Sequence, residues 1–203
     1  MNPYAGIAAL GLEPLARGWG NSHSPALAEH IARARVVIEV GSFQGASVAW
    51  MAAHNETARF YCVDTWLGSP EISAEDMGGI GYQFGRPMLL ERFLSNMVAA
   101  GISDRVTPII QTSTSGAKIL RAKGIAADLI YVDAGHDYLE CYADLVSYTP
   151  LLAKGGVMIA DDYGGFPGVR GAVERFCVEA GMTCEIVDGQ AVMRQRYRLQ
   201  VEG

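Results

Sequence analysis

The chain has 203 residues, half of them hydrophobic and 19% charged, with a formal net charge of −6. That is the profile of an ordinary globular protein of one domain spanning 1–203. An acidic balance without any Lys/Arg cluster excludes an obvious nucleic-acid surface.

No apolar run is long enough to span a membrane, and the N-terminus lacks the basic-then-apolar layout of a signal peptide, so a cytoplasmic location is expected. The four cysteines, Cys62, Cys141, Cys177 and Cys184, show no CxxC spacing and fall within apolar patterns. Buried free thiols are the expectation.

Residues 1–21 carry no clear period. Ser24-Pro25 then reads as an N-cap with proline at the first helical position, opening a helix to about Ala34. The whole stretch 1–34 is expected to form a helical flap segment. Val36–Val40 is a β-branched strand that ends in Gly41-Ser42-Phe43-Gln44-Gly45 and runs into a helix from Ala46. Glycine at a strand-to-helix turn lets a ligand approach the backbone, and the helix N-terminus favours polar or anionic groups. A tight connection with no ligand is the plainer reading, and the third glycine of the dinucleotide fingerprint is missing.

Phe60–Val63 is the second strand and delivers Asp64-Thr65-Trp66. An acid at that strand end can hydrogen-bond the hydroxyls of a ribose, or can simply cap a helix. Residues 68–86 form a long Gly-rich insertion with the character of a lid. An amphipathic helix from Leu89 to Val98 closes at Gly101. Val106–Ile110 is a strand that tolerates Pro108 and so belongs at or near an edge. Gln111-Thr112-Ser113-Thr114-Ser115 follows, with Ser115 placed to cap a short helix that ends near Gly124.

The strand Leu129–Val132 ends in Asp133, followed by Ala-Gly-His136. A helix-patterned run is then broken at Lys154-Gly155-Gly156, and the strand Val157–Ala160 delivers Asp161-Asp162. Such a unit is a right-handed βαβ crossover, which brings both acidic strand ends to one edge of a parallel sheet. Asp133, Asp161 and Asp162 would repel one another there unless a cation lies between them, and Mg²⁺ with a few carboxylates is the economical answer. Helix capping by one or two of the aspartates is the alternative. A further helix with Val169, Val173, Phe176 and Cys177 on one face stops at Gly181, and two strands close the chain around Asp188-Gly189, a hairpin signal.

Taken in order, these pieces resemble the class I S-adenosylmethionine (SAM)-dependent methyltransferases. Ile38–Gly45 is similar to their first motif, Val63–Trp66 to the second, Ile130–His136 to the fourth, and Leu152–Gly156 to the turn before the fifth core strand. Within that superfamily the chain looks closest to the small metal-dependent O-methyltransferases, the macrocin and sugar enzymes and the cephalosporin hydroxylase-like group, with the catechol type more distant.

The resemblance implies a Rossmann-like α/β fold, a seven-stranded, mostly parallel sheet with one antiparallel strand and helices on both faces. It implies SAM and Mg²⁺, or another divalent cation, as cofactors, and a small-molecule hydroxyl as acceptor. Glu39, Gly41, Ser42 and Gly45 would line the methionine part of SAM, Asp64 its ribose, and Thr112 with Ser113 its adenine side. Ser47, Thr65 and Asp133 complete the implied cofactor set. Asp133, Asp161 and Asp162 match the metal positions. His136 stands where catechol enzymes carry a lysine base.

The sugar-modifying relatives place an aspartate where this chain has Gly135. A homodimer is an expectation of the family rather than of the residues. Two other readings stand beside this one: an NAD(P)-dependent Rossmann-like oxidoreductase or sugar-nucleotide enzyme, and a SAM-binding protein without turnover.

Overall fold

The computed structural model describes residues 2–7, 25–69, 80–83 and 85–196. Most of the expected flap segment, including Ser24, and most of the expected lid lie outside the described residues.

The main sheet has seven strands: β1 (Val36–Val40), β2 (Arg59–Asp64), β5 (Val106–Ile110), β6 (Ala127–Val132), β7 (Leu152–Ala160), β8 (Met182–Val187) and β9 (Gln190–Gln195). Two short strands, β3 (Tyr82–Gln83) and β4 (Arg86–Pro87), form a separate antiparallel pair at the end of the insertion. The order in the main sheet is β5-β2-β1-β6-β7-β9-β8. Only β9 runs against the others, since it pairs antiparallel with both β7 and β8. The sheet is therefore mostly parallel with one antiparallel strand, as the resemblance implies. Pro108 sits on the edge strand β5, where a missing N–H costs nothing on the open side.

Six helices are described: α1 (Pro25–Ile31), α2 (Ala46–His54), α3 (Leu89–Ala99), α4 (Ser113–Ala122), α5 (Tyr138–Tyr148) and α6 (Pro167–Ala180). Period-2 alternation splits the strands between two apolar layers. Val37, Phe60, Leu129, Tyr131 and Ile159 face one cluster with Leu27, Met51 and Phe93 of α1, α2 and α3. Ile38, Val63, Ile130 and Met158 face the other with Leu120, Leu145 and Phe176 of α4, α5 and α6. The central strands are buried on both sides, which is why they read as apolar runs rather than alternating ones.

The chain winds from β1 outward to β5, then crosses back to place β6 on the other side of β1. The crevice outside the carboxyl ends of β1 and β6 is thus the switch point of the sheet, the place where open α/β folds bind ligands. Register aligns the strand ends: Val40 pairs with both Val63 and Val132, and Val132 pairs with Ala160. One residue further on, Asp64, Gly41, Asp133 and Asp161 lie in a row.

Some local expectations shift. The helix after Ile110 starts at Ser113 with Thr112 as its N-cap, not at Ser115. The chain does not break at Lys154-Gly155-Gly156: α5 ends at Tyr148, a 3-10 turn containing Pro150 follows, and these residues already belong to β7. The extra length is absorbed by a register irregularity opposite Ala127–Leu129. All four cysteines are free, but only Cys62 and Cys141 are buried; Cys177 is half-buried and Cys184 exposed. The Asp188-Gly189 turn has positive φ at both residues (47° and 81°), the geometry a two-residue hairpin asks for.

Beneath this edge, α4 and α5 are tied through Asp144, a buried carboxylate that accepts from the Ser113 hydroxyl, while Tyr148 Oη donates to the Ser113 carbonyl at 2.8 Å. Burial pushes the Asp144 carboxyl up to about 6. The folded protein then binds this proton more tightly than the unfolded chain, so Asp144 makes stability fall as pH rises from the ordinary carboxylate range through about 6. Asp144→Asn removes the ionisation and keeps an acceptor. Denaturant titrations should show the variant gaining on the wild type by on the order of 2–3 kcal/mol between about pH 4 and about pH 7; a difference that does not change with pH would contradict this.

Candidate active site at the carboxyl edge of the sheet

The turn after β1 is built around two glycines at positive φ. Gly41 (φ 88°) lies so close to β6 that a Cβ there would stand 1.9 Å from the Asp133 carbonyl oxygen. Gly45 (φ 81°) is the N-cap of α2, and a Cβ on it would meet Met97 of α3 at 2.4 Å. No other residue fits either place. The turn is clamped from outside as well: Asn96 Nδ2 donates to the Gln44 carbonyl at 2.8 Å, and Phe43 N–H donates to Asp64 Oδ2 at 2.8 Å.

Asp64 also accepts from Trp66 N–H through Oδ1 at 2.7 Å, and the buried Trp66 indole donates to the Phe43 carbonyl at 2.8 Å. Burial raises the Asp64 pKa in spite of these backbone donors. Asp64 is therefore part of the loop clamp, and each of its oxygens keeps lone-pair capacity toward a ribose.

Glu39 is fully buried at the end of β1, with Oε1 taking the Ser47 hydroxyl at 2.6 Å. Its Oε2 has no hydrogen-bond partner of normal geometry, and burial pushes the carboxyl up to about 7. Ser42 is buried beside it. A buried carboxylate oxygen left open, next to a turn whose backbone can be approached, fits the cationic methionine end of SAM.

Beyond the ends of β2 and β5 opens a cleft of about 360 Å³ lined by Thr65, Trp66, Leu67, Arg86, Leu90, Ile110 and Gln111. Its mainly apolar walls and one amide suit a flat base. Thr65, one of the residues expected at the cofactor, lines this cleft. Thr112 and Ser113 do not: Thr112 stands at the N-cap position of α4 without a side-chain cap bond, and the Ser113 hydroxyl is directed to Asp144. Gln111 is the residue of that stretch on the cleft. Its position one residue past β5 is the signal that singles it out.

At the ends of β6 and β7, Asp133, His136 and Asp162 each offer a ligand atom within 4.8 Å of the others. His136 Nε2 lies 2.9 Å from Asp162 Oδ2, and its ring stacks on Phe166 with centroids 4.0 Å apart. Phe166 belongs to the turn Tyr163–Gly168, whose place just after Asp162 in the sequence puts it at this site. Asp162 takes φ 59°, and its carbonyl accepts from Gly165 N–H and Phe166 N–H at 3.0 Å, which folds the chain back over the site.

Asp133 is pushed well above the ordinary carboxylate range by burial first, then by Asp161, Glu39 and Asp162. Oxygen and imidazole donors in this crowd fit a divalent cation. Asp161 is placed differently from the expected three-aspartate set. It does not join the group, and its carboxylate accepts instead from Tyr131 Oη at 2.5 Å and from Gln190 Nε2 at 3.0 Å.

The profile of a methyltransferase-domain family matches residues 38–163, which holds the glycine turn, Asp64 and all four residues of the acidic edge. The chain belongs to this family and has the class I, Rossmann-like methyltransferase fold.

Among solved structures, an O-methyltransferase from Bacillus cereus in complex with SAH superposes with a TM-score of 0.62 at 18% identity, over 94% of this chain and 87% of that one. The O-methyltransferase TomG from Streptomyces achromogenes, in complex with SAM, gives 0.59 at 16% identity over 96% and 88%. The calicheamicin methyltransferase CalS11 gives 0.58 at 20% over 83% and 76%. At such identities the likeness is one of fold. A comparison with curated proteins finds no match. Among the described residues no helix is long and apolar enough to cross a membrane.

If SAM binds beside Glu39, the ionised carboxylate would attract its positive charges and the neutral carboxyl would not. SAM affinity measured by calorimetry should therefore rise between about pH 6 and about pH 7.5, and this rise should flatten in Glu39→Gln. Identical pH profiles for the two proteins would remove Glu39 from the cofactor site.

Proposed function

We propose that this protein transfers the methyl group of SAM to a hydroxyl of a small molecule, with a divalent cation such as Mg²⁺ at the acidic edge and His136 as the base. The observation that carries the reading is the placement of Asp133, His136 and Asp162 around one point directly beside the Gly41–Gly45 turn. The O-methyltransferases among the similar structures support the choice of oxygen as nucleophile.

SAM would bring a methyl group already activated by its sulfonium, and a divalent cation held here would lower the pKa of the acceptor hydroxyl. What remains for the protein is alignment and proton removal. The glycine turn and Glu39 hold the methionine end, Asp64 the ribose, and the Thr65–Gln111 cleft the base. Asp133 and Asp162 would hold the cation, which would orient the acceptor oxygen.

His136 accepts the proton as the oxygen attacks. Asp162, 2.9 Å from its Nε2, steadies the imidazolium that forms, and Phe166 fixes the ring plane. The acceptor approaches past the Tyr163–Gly168 turn. Its wall there is aromatic, with Phe166 40% exposed, which favours an acceptor with an apolar face beside its hydroxyl.

SAM, with NAD⁺ as a control, should be titrated calorimetrically, and methyl transfer to a panel of phenols and sugars followed with and without EDTA. The expected result is SAM binding, no NAD⁺ binding, and transfer that EDTA abolishes and Mg²⁺ restores. His136→Ala should lower kcat by about 10²–10⁴-fold while SAM still binds. Transfer that survives EDTA would retain the cofactor and overturn the cation mechanism. NAD⁺ binding in place of SAM would overturn the whole reading.

A further inference from the structure

We infer that Tyr131 and Gln190 are positioning residues: their hydrogen bonds fix the carboxylate of Asp161 beside Asp133 and thereby set the affinity of the edge for its cation. The inference rests on the cation reading of that edge.

Tyr131 lies two residues before Asp133 on β6, and strand alternation turns its ring into the apolar layer with Leu129, Ile159 and Val192. It is 1% exposed. A phenylalanine would fill the same space without a polar atom to satisfy. The hydroxyl emerges from that layer only at the sheet edge, where it donates to Asp161 Oδ2 at 2.5 Å. A buried phenol needs such a partner, and here the partner is an acid at the functional edge rather than a backbone carbonyl.

Gln190 is 4% exposed and opens β9, next to the Asp188-Gly189 turn. Its Nε2 lies 3.0 Å from Asp161 Oδ1 and 3.2 Å from Tyr131 Oη, so one amide braces both. Asp162 N–H adds a third donor to Asp161 Oδ1 at 3.0 Å. The hairpin that carries Gln190 is itself tied to the site, since Gly164 N–H donates to the Gly189 carbonyl at 2.8 Å. Three donors on two oxygens leave Asp161 little rotational freedom.

Asp161 stands level with Asp133 in the row of strand ends. Its charge is therefore held where a cation bound by Asp133 and Asp162 would feel it. Without Tyr131 Oη and Gln190 Nε2, the carboxylate swings to water and that charge is no longer fixed. Outer partners of this kind typically change metal affinity by about 10–100-fold.

The test uses Mn²⁺ as probe, titrated into the full chain with SAH present and followed by the electron paramagnetic resonance of free Mn²⁺. Tyr131→Phe and Gln190→Ala should each weaken Mn²⁺ binding about 10–100-fold. The double variant should add little beyond either, because the two act on one carboxylate. SAM affinity should stay within about twofold of wild type and the melting temperature within a few degrees, which a merely structural role would not leave intact.

Wild-type Mn²⁺ affinity in both variants would overturn the inference and leave the cation site standing. Equal losses of SAM and Mn²⁺ affinity would overturn it in favour of a structural role. If the wild type itself binds no Mn²⁺, the cation reading falls first and this inference with it.

Discussion

Asp133 carries the electrostatic problem around which this protein is built. It is a half-buried carboxyl at the switch point of the sheet, close to Asp161, Glu39 and Asp162. Each of these makes its ionisation harder, and the imidazole of His136 draws it back. Such an arrangement has no value to folding, since every added acid raises the cost of the others. Positive charge entering this edge would relieve it, as the proposed sulfonium cofactor and divalent cation would.

The scaffold holds that charge in place with backbone rather than with opposing side chains. Gly41 lets β1 and β6 approach until the turn touches the Asp133 carbonyl, and Gly45 lets α3 press on the turn from the other side. Asp64 and Trp66 then stitch the second strand end to Phe43. The left-handed residues Phe43, Trp66 and Asp162 all lie on this edge. Strained non-glycine backbone concentrated at one sheet edge marks a site whose geometry is over-determined by its surroundings. Among the described residues the opposite edge of the sheet carries none of it.

The fold was largely legible in the sequence because its signals are local. β-branched runs gave the strands, Pro108 marked an edge, and Asp188-Gly189 specified a two-residue hairpin. Register then carried the strand-end residues to one row without further information. What the sequence did not reveal depends on partners far along the chain. Ser113 looked free to face a ligand, but Asp144, thirty-one residues on, takes its hydroxyl. Asp161 looked interchangeable with Asp162, but Tyr131 and Gln190 turn it aside. Tyr131 itself read as core, which its ring is. Lys154-Gly155-Gly156 misled because a glycine pair is a turn signal in isolation, whereas here β6 supplies a neighbouring strand on which it bulges.

The most direct test of a shared cofactor and cation edge is a crystal structure of the protein grown with SAH and Mn²⁺, with anomalous data collected to locate the metal. The account predicts one strong anomalous peak in bonding contact with Asp133 and Asp162, and SAH lying from the Gly41–Gly45 turn to the Thr65–Gln111 cleft. A nucleoside in that place with no metal peak at the strand ends, or a peak elsewhere on the surface, would contradict it.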